Sequence, residues 1–462
     1  MGSKATKTSN IATTLEQPIV FTRDQHPISR QLISPSALKV LYRLNKSGFD
    51  AYLVGGGVRD ILLGQEPKDF DIATNATPDE IKGLFRNCRL IGRRFRLAHI
   101  VFGREIIEVA TFRGHHDSAS EKEKNCTKTS KQSDDGMLLR DNIYGTIDED
   151  AQRRDFTINA LYYSTKDFKV LDFANGVKDV EDKVIRLIGD PQTRYREDPV
   201  RMLRAIRFAT KLDMEISPET RDPITELAPL MVNIPAARMF EEFLKMFISG
   251  KAVENYEQLR KYNLFKFFFP AVDQALDNSD DINTERLERF IIQAMTNTDK
   301  RINNDQRVTP AFLFAAMLWY SLQNYIQQIN ATSQLAPQDA FFAALSEIMP
   351  EQQRSIAIPK RFQSVMKDIW ILQDKLARRE GKRAFKTFEH PKFRAGYDFL
   401  LLRAEIETDN TLLAELAQWW TDFQNVSNDA KLQMIKSIKN TPNTKRRGPR
   451  KRRKPTNKPS AE

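Results

Sequence analysis

Apolar residues first recur with helical spacing at Leu38, Leu41 and Leu44, between Ser34-Pro35 and Gly48. A serine that can accept from freed backbone N–H groups, a proline preset for the first turn and a glycine after the last turn predict a helix between them. A short apolar run at 51–54 then reads as a strand. The triple glycine Gly55-Gly56-Gly57 leads into a helix over 58–63, and 69–73 reads as a second strand. Thr77-Pro78-Asp79-Glu80 has the form of a capping box and opens a helix to about Arg86. The runs 90–91, 97–102 and 106–112 are rich in strand formers. Strands and helices thus alternate within one compact unit.

Two stretches lack any such pattern. Residues 1–27 are polar and aperiodic and read as a mostly flexible arm. Residues 115–136 hold only Ala119 and Cys126 as small apolar side chains among charges, Ser and Thr, so a long mobile insertion is expected there. From about 150 onward helical spacing dominates, at 197–211, 235–248, 286–296, 310–328, 338–348, 361–379 and 411–424. After Asn440 the apolar periodicity stops.

Composition sharpens this outline. The 462 residues suggest about two to four domains. With 40% hydrophobic residues the chain can build a real core, which excludes a wholly disordered protein. Net charge is +11, but the stretch 441–462 alone carries +8, with nine Lys/Arg between Lys445 and Lys458. The body is close to balanced, and the anionic partner that a basic protein implies is met mainly by the tail. Two cysteines, Cys88 and Cys126, exclude a disulfide scaffold or a four-cysteine zinc site. The longest apolar run, 311–320, is about half of what spans a bilayer. The absence of an N-terminal apolar segment argues against export.

The chemistry concentrates in five motifs. A glycine turn between strand and helix aims backbone N–H groups at one point, as a phosphate cradle does. In KDFDIAT, period two puts Asp69 and Asp71 on one face and Phe70 on the other. Two carboxylates side by side repel unless a cation lies between them, and such oxygen ligands suit Mg²⁺. Glu108, inside the apolar IIEVATF, is a possible third carboxylate or an outward residue of a half-exposed strand. In RRDFTINAL, Arg153 and Arg154 can clamp phosphate oxygens, and Asp155 can accept from a ribose hydroxyl or hold an arginine. In EDPVRMLRAIRF, helical spacing would put Asp198 and Arg201 on one face, an acceptor beside a donor. The adenine and cytosine edges match that pair; guanine and uracil present the reverse.

The order GGGVRD, DFD, EVATFR, RRDFTINAL, EDPVRMLRAIRF resembles the class II template-independent nucleotidyltransferases, the superfamily of bacterial poly(A) polymerases and CCA-adding tRNA nucleotidyltransferases. The resemblance runs from about Pro27 to Trp420. Within it, LIGRRFRLAHI at 90–100, the insertion before GMLLRDNIYG, the segment GKRAFKTFEHPKFRAGYDFLLLRAE and the basic tail are similar to the bacterial poly(A) polymerase branch. Ile100 stands where that branch's signature has Val.

The resemblance implies an α+β fold. A nucleotidyltransferase head on a small, mostly antiparallel sheet (28–165) would be followed by a helical neck with the base-reading and RNA-binding part (166–275). A helical body (276–440) and a disordered basic tail (441–462) would complete it, after the arm 1–27. It also implies Asp69 and Asp71 as catalytic metal ligands for two Mg²⁺ ions, and Asp155 as a further active-site acid. Gly55, Gly56, Arg59 and Arg154 would contact the nucleotide, and Asp198 with Arg201 the base edge. The activity implied is addition of AMP from ATP to RNA 3′ ends with release of pyrophosphate, by a monomeric cytoplasmic enzyme without a membrane. Two alternatives remain at this point: a CCA-adding enzyme, and a non-catalytic RNA-binding protein that keeps the fold.

Overall fold

The computed structural model describes residues 12–92, 96–114, 130–132, 138–141, 144–277 and 282–439. The insertion and the basic tail read from the sequence therefore lie almost wholly outside the described residues, as do positions 93–95 of the 90–100 signature. The head contains β1 (Ile19–Phe21), α1 (Pro35–Lys46), β2 (Ala51–Val54), α2 (Gly56–Leu62), β3 (Asp71–Thr74), α3 (Pro78–Leu84), β4 (Cys88–Ile91), β5 (Leu97–Phe102) and β6 (Glu105–Thr111). A separate two-stranded ribbon, β7 (Ser130–Gln132) and β8 (Leu138–Asp141), follows. Then come α4 (Ile147–Arg153), β9 (Leu161–Ser164) and β10 (Val170–Asp172).

The start signals act as the sequence predicts. Ser34 accepts from Ala37 N at 3.1 Å, with Pro35 in the first turn of α1. Glu80 accepts from Thr77 N at 2.7 Å while Thr77 accepts from Glu80 N, the reciprocal box that opens α3.

Eight strands form one sheet in the order β1-β10-β9-β2-β3-β6-β5-β4. Every pairing is antiparallel except β3 with β6. One face buries Leu53, Ile72, Ile100, Ile107 and Val109 in the core that also holds Val40, Leu41 and Leu44 of α1. On the other face Val54, Ala73, Tyr162 and Phe112 cluster with Ala151 of α4. That second cover does not reach Asp71, which stays open to solvent. Of the acids sought from the sequence, Asp69 and Asp71 sit at this uncovered part, whereas the Asp155 side chain is largely buried.

Four expectations are corrected. Residues 12–27 are not simply an arm: Ile19–Phe21 is an edge strand paired with β10, and Leu15 N donates to Phe173 O. A three-residue strand in a polar stretch leaves no periodicity to read. The sheet also runs past the expected head boundary at 165, since β10 lies at 170–172. The segment expected as one helix over 310–328 breaks at Leu318 into Pro310–Met317 and Trp319–Thr332. The helix expected over 197–211 starts only at Val200. After α5 (Gly176–Glu181) and α6 (Pro191–Glu197), Asp198 is extended at φ −150° and Pro199 precedes α7 (Val200–Leu212).

Beyond α7 the described chain is almost entirely helical. The main core continues through Phe243, Phe247, Phe269 and Phe314, so head, neck and body share buried contacts. A second cluster around Leu376, Leu400, Trp420 and Phe423 closes the C-terminal helices. No helix among the described residues is long and apolar enough to cross a membrane.

Candidate active site

Register across the sheet assembles the acids. Asp71 lies directly opposite Glu108 in the parallel β3–β6 pair, and Glu108 lies opposite His99 in the antiparallel β5–β6 pair. Paired residues point to the same face, so Asp71, Glu108 and His99 form a row on the uncovered side. Asp69 precedes β3 and is exposed, like Asp71, with Phe70 buried between them. The alternation predicted from KDFDIAT therefore holds, although the strand itself begins only at Asp71.

The neighbouring carboxylates disturb Asp71. Partial desolvation, then the charges of Glu108 and Asp69, push the Asp71 carboxyl up to about 6, against the pull of Arg154. A carboxylate whose acid neighbours raise its affinity for protons has the same appetite for a hard cation, so the donor set fits Mg²⁺. Among the described residues no three His, Cys, Asp or Glu side chains already stand close enough to ligate an ion by themselves. Mg²⁺ commonly keeps waters and takes substrate phosphates as its remaining ligands, which suits an open site of this kind.

The glycine turn backs onto the same place. Gly55 has φ +66° and ψ −124°, a conformation side chains rarely adopt. A Cβ on Gly55 would lie 3.3 Å from Arg154 Nη1, and one on Gly57 would lie 3.5 Å from Asp69 O. The turn, Arg154 and the acids are thus neighbours. Gly56 starts α2 with Arg59 behind it. Arg59 itself is buried: it donates to Asp60 Oδ1 through Nε at 2.9 Å and to Asn159 Oδ1 at 2.6 Å. It acts on the turn as a strut from the inside, not as an open side chain.

Arg154 is fixed by residues that sequence reasoning missed. Its Nε donates to Tyr162 Oη at 2.7 Å and its Nη2 to Asp150 Oδ2 at 3.1 Å. Tyr162 in turn donates to Asp150 at 2.7 Å. Asp150 stands one helical turn before Arg154 in the acid-rich first turns of α4, a spacing that could have flagged it.

Asp155 and Arg201 occupy a second, buried cluster, with Asp198 half-buried at its edge. Asp155 accepts from Arg201 Nε at 2.8 Å and pairs with Arg204. Burial works against its charge, but the Arg204 and Arg201 guanidinium groups hold the carboxyl well below the usual range. Of the two roles open to Asp155 in the sequence, the hydrogen bonds show the one that holds arginines. Arg201 also donates to Glu197 at 2.9 Å and to Arg194 O at 2.7 Å.

Asp198 and Arg201 do not share a helix face, because the chain breaks at Pro199; a residue before proline disfavours the helical region. The two stay close enough for Asp198 to stabilise the Arg201 charge. The carboxylate of Asp198, however, is gripped on both oxygens by Arg238, at 2.9 and 2.7 Å. Nothing in the local sequence announces Arg238, which lies 40 positions further on.

Comparison with known proteins finds relatives over most of the chain. Three family models match: the poly A polymerase head domain over 51–186, the probable RNA- and SrmB-binding site of polymerase A over 213–276, and the polymerase A arginine-rich C-terminus over 333–454. The chain is 56% identical to poly(A) polymerase I of Salmonella typhimurium, over 94% of its own length and 92% of that protein's. It is 49% identical to poly(A) polymerase I of Haemophilus influenzae, over 90% of each. A CCA-adding enzyme of Leuconostoc mesenteroides is more distant, at 30% over 64% of this chain and 69% of that protein. Among solved structures, a tRNA nucleotidyltransferase complexed with a primer tRNA and an incoming ATP analog superposes with a TM-score of 0.52 at 22% identity. It covers 81% of this chain and 97% of that one. This likeness supports the same fold.

Proposed function

The chain belongs to the poly(A) polymerase family of template-independent nucleotidyltransferases, and from that premise we propose how its residues divide the work of adding AMP from ATP to an RNA 3′ end. The observation that carries the proposal is the register that sets Glu108 beside Asp71, with Asp69 two residues away and the Gly55 turn adjoining. Asp69, Asp71 and Glu108 would hold two Mg²⁺ ions. The chemistry supplied at these residues by such ions would be a lowered pKa of the attacking hydroxyl and neutralised charge on the leaving oxygens.

The chain's own part is binding and orientation. The backbone N–H of Gly56 at the start of α2 and the Arg154 guanidinium receive the triphosphate; Gly55 shapes the turn, its own N–H donating to Leu161 O at 3.2 Å, and Asp150 and Tyr162 keep Arg154 in place. Arg59 supports the turn. Asp198 accepts from the base amino group with Arg201 beside it, and Asp155 fixes Arg201. The new bond joins the RNA 3′ oxygen to the α-phosphorus. The bond from that phosphorus to the bridging oxygen breaks, pyrophosphate leaves, and the hydroxyl proton passes to solvent. RNA is held along the neck, where the RNA-binding family model matches, and by the basic tail, largely through phosphates. Arginines of the neck complete a cluster with an acid of the head, so this part of the site needs no second chain, which fits a monomeric enzyme; a cytoplasmic location is the reading taken with it.

The test is extension of a generic 3′-OH RNA with each nucleoside triphosphate alone. Long products with ATP only, abolished in Asp69→Ala and Asp71→Ala, support the proposal. Completion of a tRNA lacking its end from a CTP/ATP mixture would favour the CCA-adding alternative. Absence of Mg²⁺-dependent pyrophosphate release would leave a non-catalytic RNA-binding protein.

A further inference from the structure

We propose that His99 is a positioning residue for the metal-site carboxylate Glu108; the inference rests on Glu108 ligating a cation, as read above. His99 Nε2 lies 3.2 Å from Glu108 Oε2. The two residues face each other directly in the β5–β6 register, and Glu108 faces Asp71 on its other side. The row Asp71, Glu108, His99 therefore runs straight across three strands, and its outer neighbour on β4 is Arg89.

The contact matters because Glu108 is otherwise loosely held. Its side chain is 42% exposed and has three rotatable bonds, whereas Asp71 is short and stands on the strand directly. A donor on the next strand removes most of that freedom: one oxygen is engaged by His99, which leaves the other for a cation on the side of the row where Asp71 stands. The His99 side chain is 23% exposed, less than its partner, so the imidazole is the better anchored of the two. His99 also lies in the 90–100 run that is similar to the polymerase branch. The hydrogen bond to Glu108 gives one of its residues a function.

The experiment uses the full-length protein, with Mn²⁺ as the probe and a non-hydrolysable ATP analogue present. Free Mn²⁺ is measured by electron paramagnetic resonance, which does not depend on turnover. His99→Leu is expected to weaken Mn²⁺ binding about tenfold, the usual scale for losing a group that orients a metal ligand. His99→Gln, which can place an amide N–H near the former Nε2, is expected to recover most of that loss. Adding His99→Leu to Glu108→Gln is expected to cost nothing more. The apparent KM for RNA and the melting temperature are expected to stay unchanged in His99→Gln, which keeps the test open if His99→Leu folds poorly. Unchanged Mn²⁺ affinity in His99→Leu, or equal losses in the Leu and Gln variants, would overturn the inference while leaving Glu108 as a ligand. Unchanged affinity in Glu108→Gln would instead remove Glu108 from the metal site, and the inference would fall with that reading.

Discussion

Asp155 accepts a 2.8 Å hydrogen bond from Arg201 across 46 positions of the chain, and both side chains are almost sealed from solvent. The pair ties the end of the RRD motif to the first turn of α7. Removing one partner of such a pair leaves an uncompensated charge, and here Arg204 and Arg194 add to it. Asp155→Ala is therefore expected to cost about 3–5 kcal/mol in denaturant unfolding. The loss should show as destabilisation even where a defect in catalysis was sought.

The same carboxylate sets a pH dependence. Its folded-state pKa is depressed, so the stability it contributes is complete above the unfolded value of about 4 and is lost as pH falls further. Unfolding free energies of the wild type should drop more steeply below about pH 4 than those of Asp155→Asn. Parallel curves would show that the arginines do not select the ionised form.

Asp71 has the opposite sign. Its carboxyl is pushed up to about 6, so in the metal-free fold it holds its proton through the range where an unfolded aspartate has released it. A cation and a proton compete for it. At limiting Mg²⁺, turnover is expected to fall as pH drops through about 6. Raising Mg²⁺ should move the midpoint to lower pH. A midpoint independent of Mg²⁺ would separate this titration from the metal.

The site residues show both what the sequence carries and what it withholds. Asp69 and Asp71 are legible because a two-residue spacing is local and strands alternate. That Glu108 comes to stand beside Asp71 depends on β3 pairing with β6 in parallel, a long-range choice with no local signal. Asp198 is the instructive miss. Spacing suggested a shared face with Arg201, yet the Asp-Pro step within the motif already disfavoured continuous helix there. Arg154 could be named, but its supports Asp150 and Tyr162 come from a helix and a strand brought together only by the fold.

Asp198→Ala should accordingly be read against Arg238. The substitution removes an acceptor and frees a guanidinium that it had engaged on two oxygens. Loss of one hydrogen bond involving a charged group is worth about 1.5–3 kcal/mol, so discrimination of ATP against GTP and UTP should fall roughly 10- to 100-fold. Competition assays with paired nucleotides measure it. If only RNA affinity changes, Asp198 belongs to the RNA surface.

Gly55 allows the turn and the acids to be tested together without touching either charge. Its φ of +66° with ψ −124° lies where a side chain is strained by about 1–3 kcal/mol. The added Cβ would also meet Arg154 Nη1 at 3.3 Å. That contact is tighter than ordinary packing, and Arg154 has little room to yield, since Asp150 and Tyr162 hold it. Gly55→Ala should therefore raise the KM for ATP and lower kcat together, because the turn and Arg154 are displaced from the same phosphates. Gly64→Ala offers the control: it has φ +72° and would meet nothing within 4 Å, so it carries backbone strain without the contact. A similar loss of melting temperature in both variants, with the kinetic defect confined to Gly55→Ala, would place the effect on Arg154. Equal kinetic defects would instead assign it to the strained backbone alone.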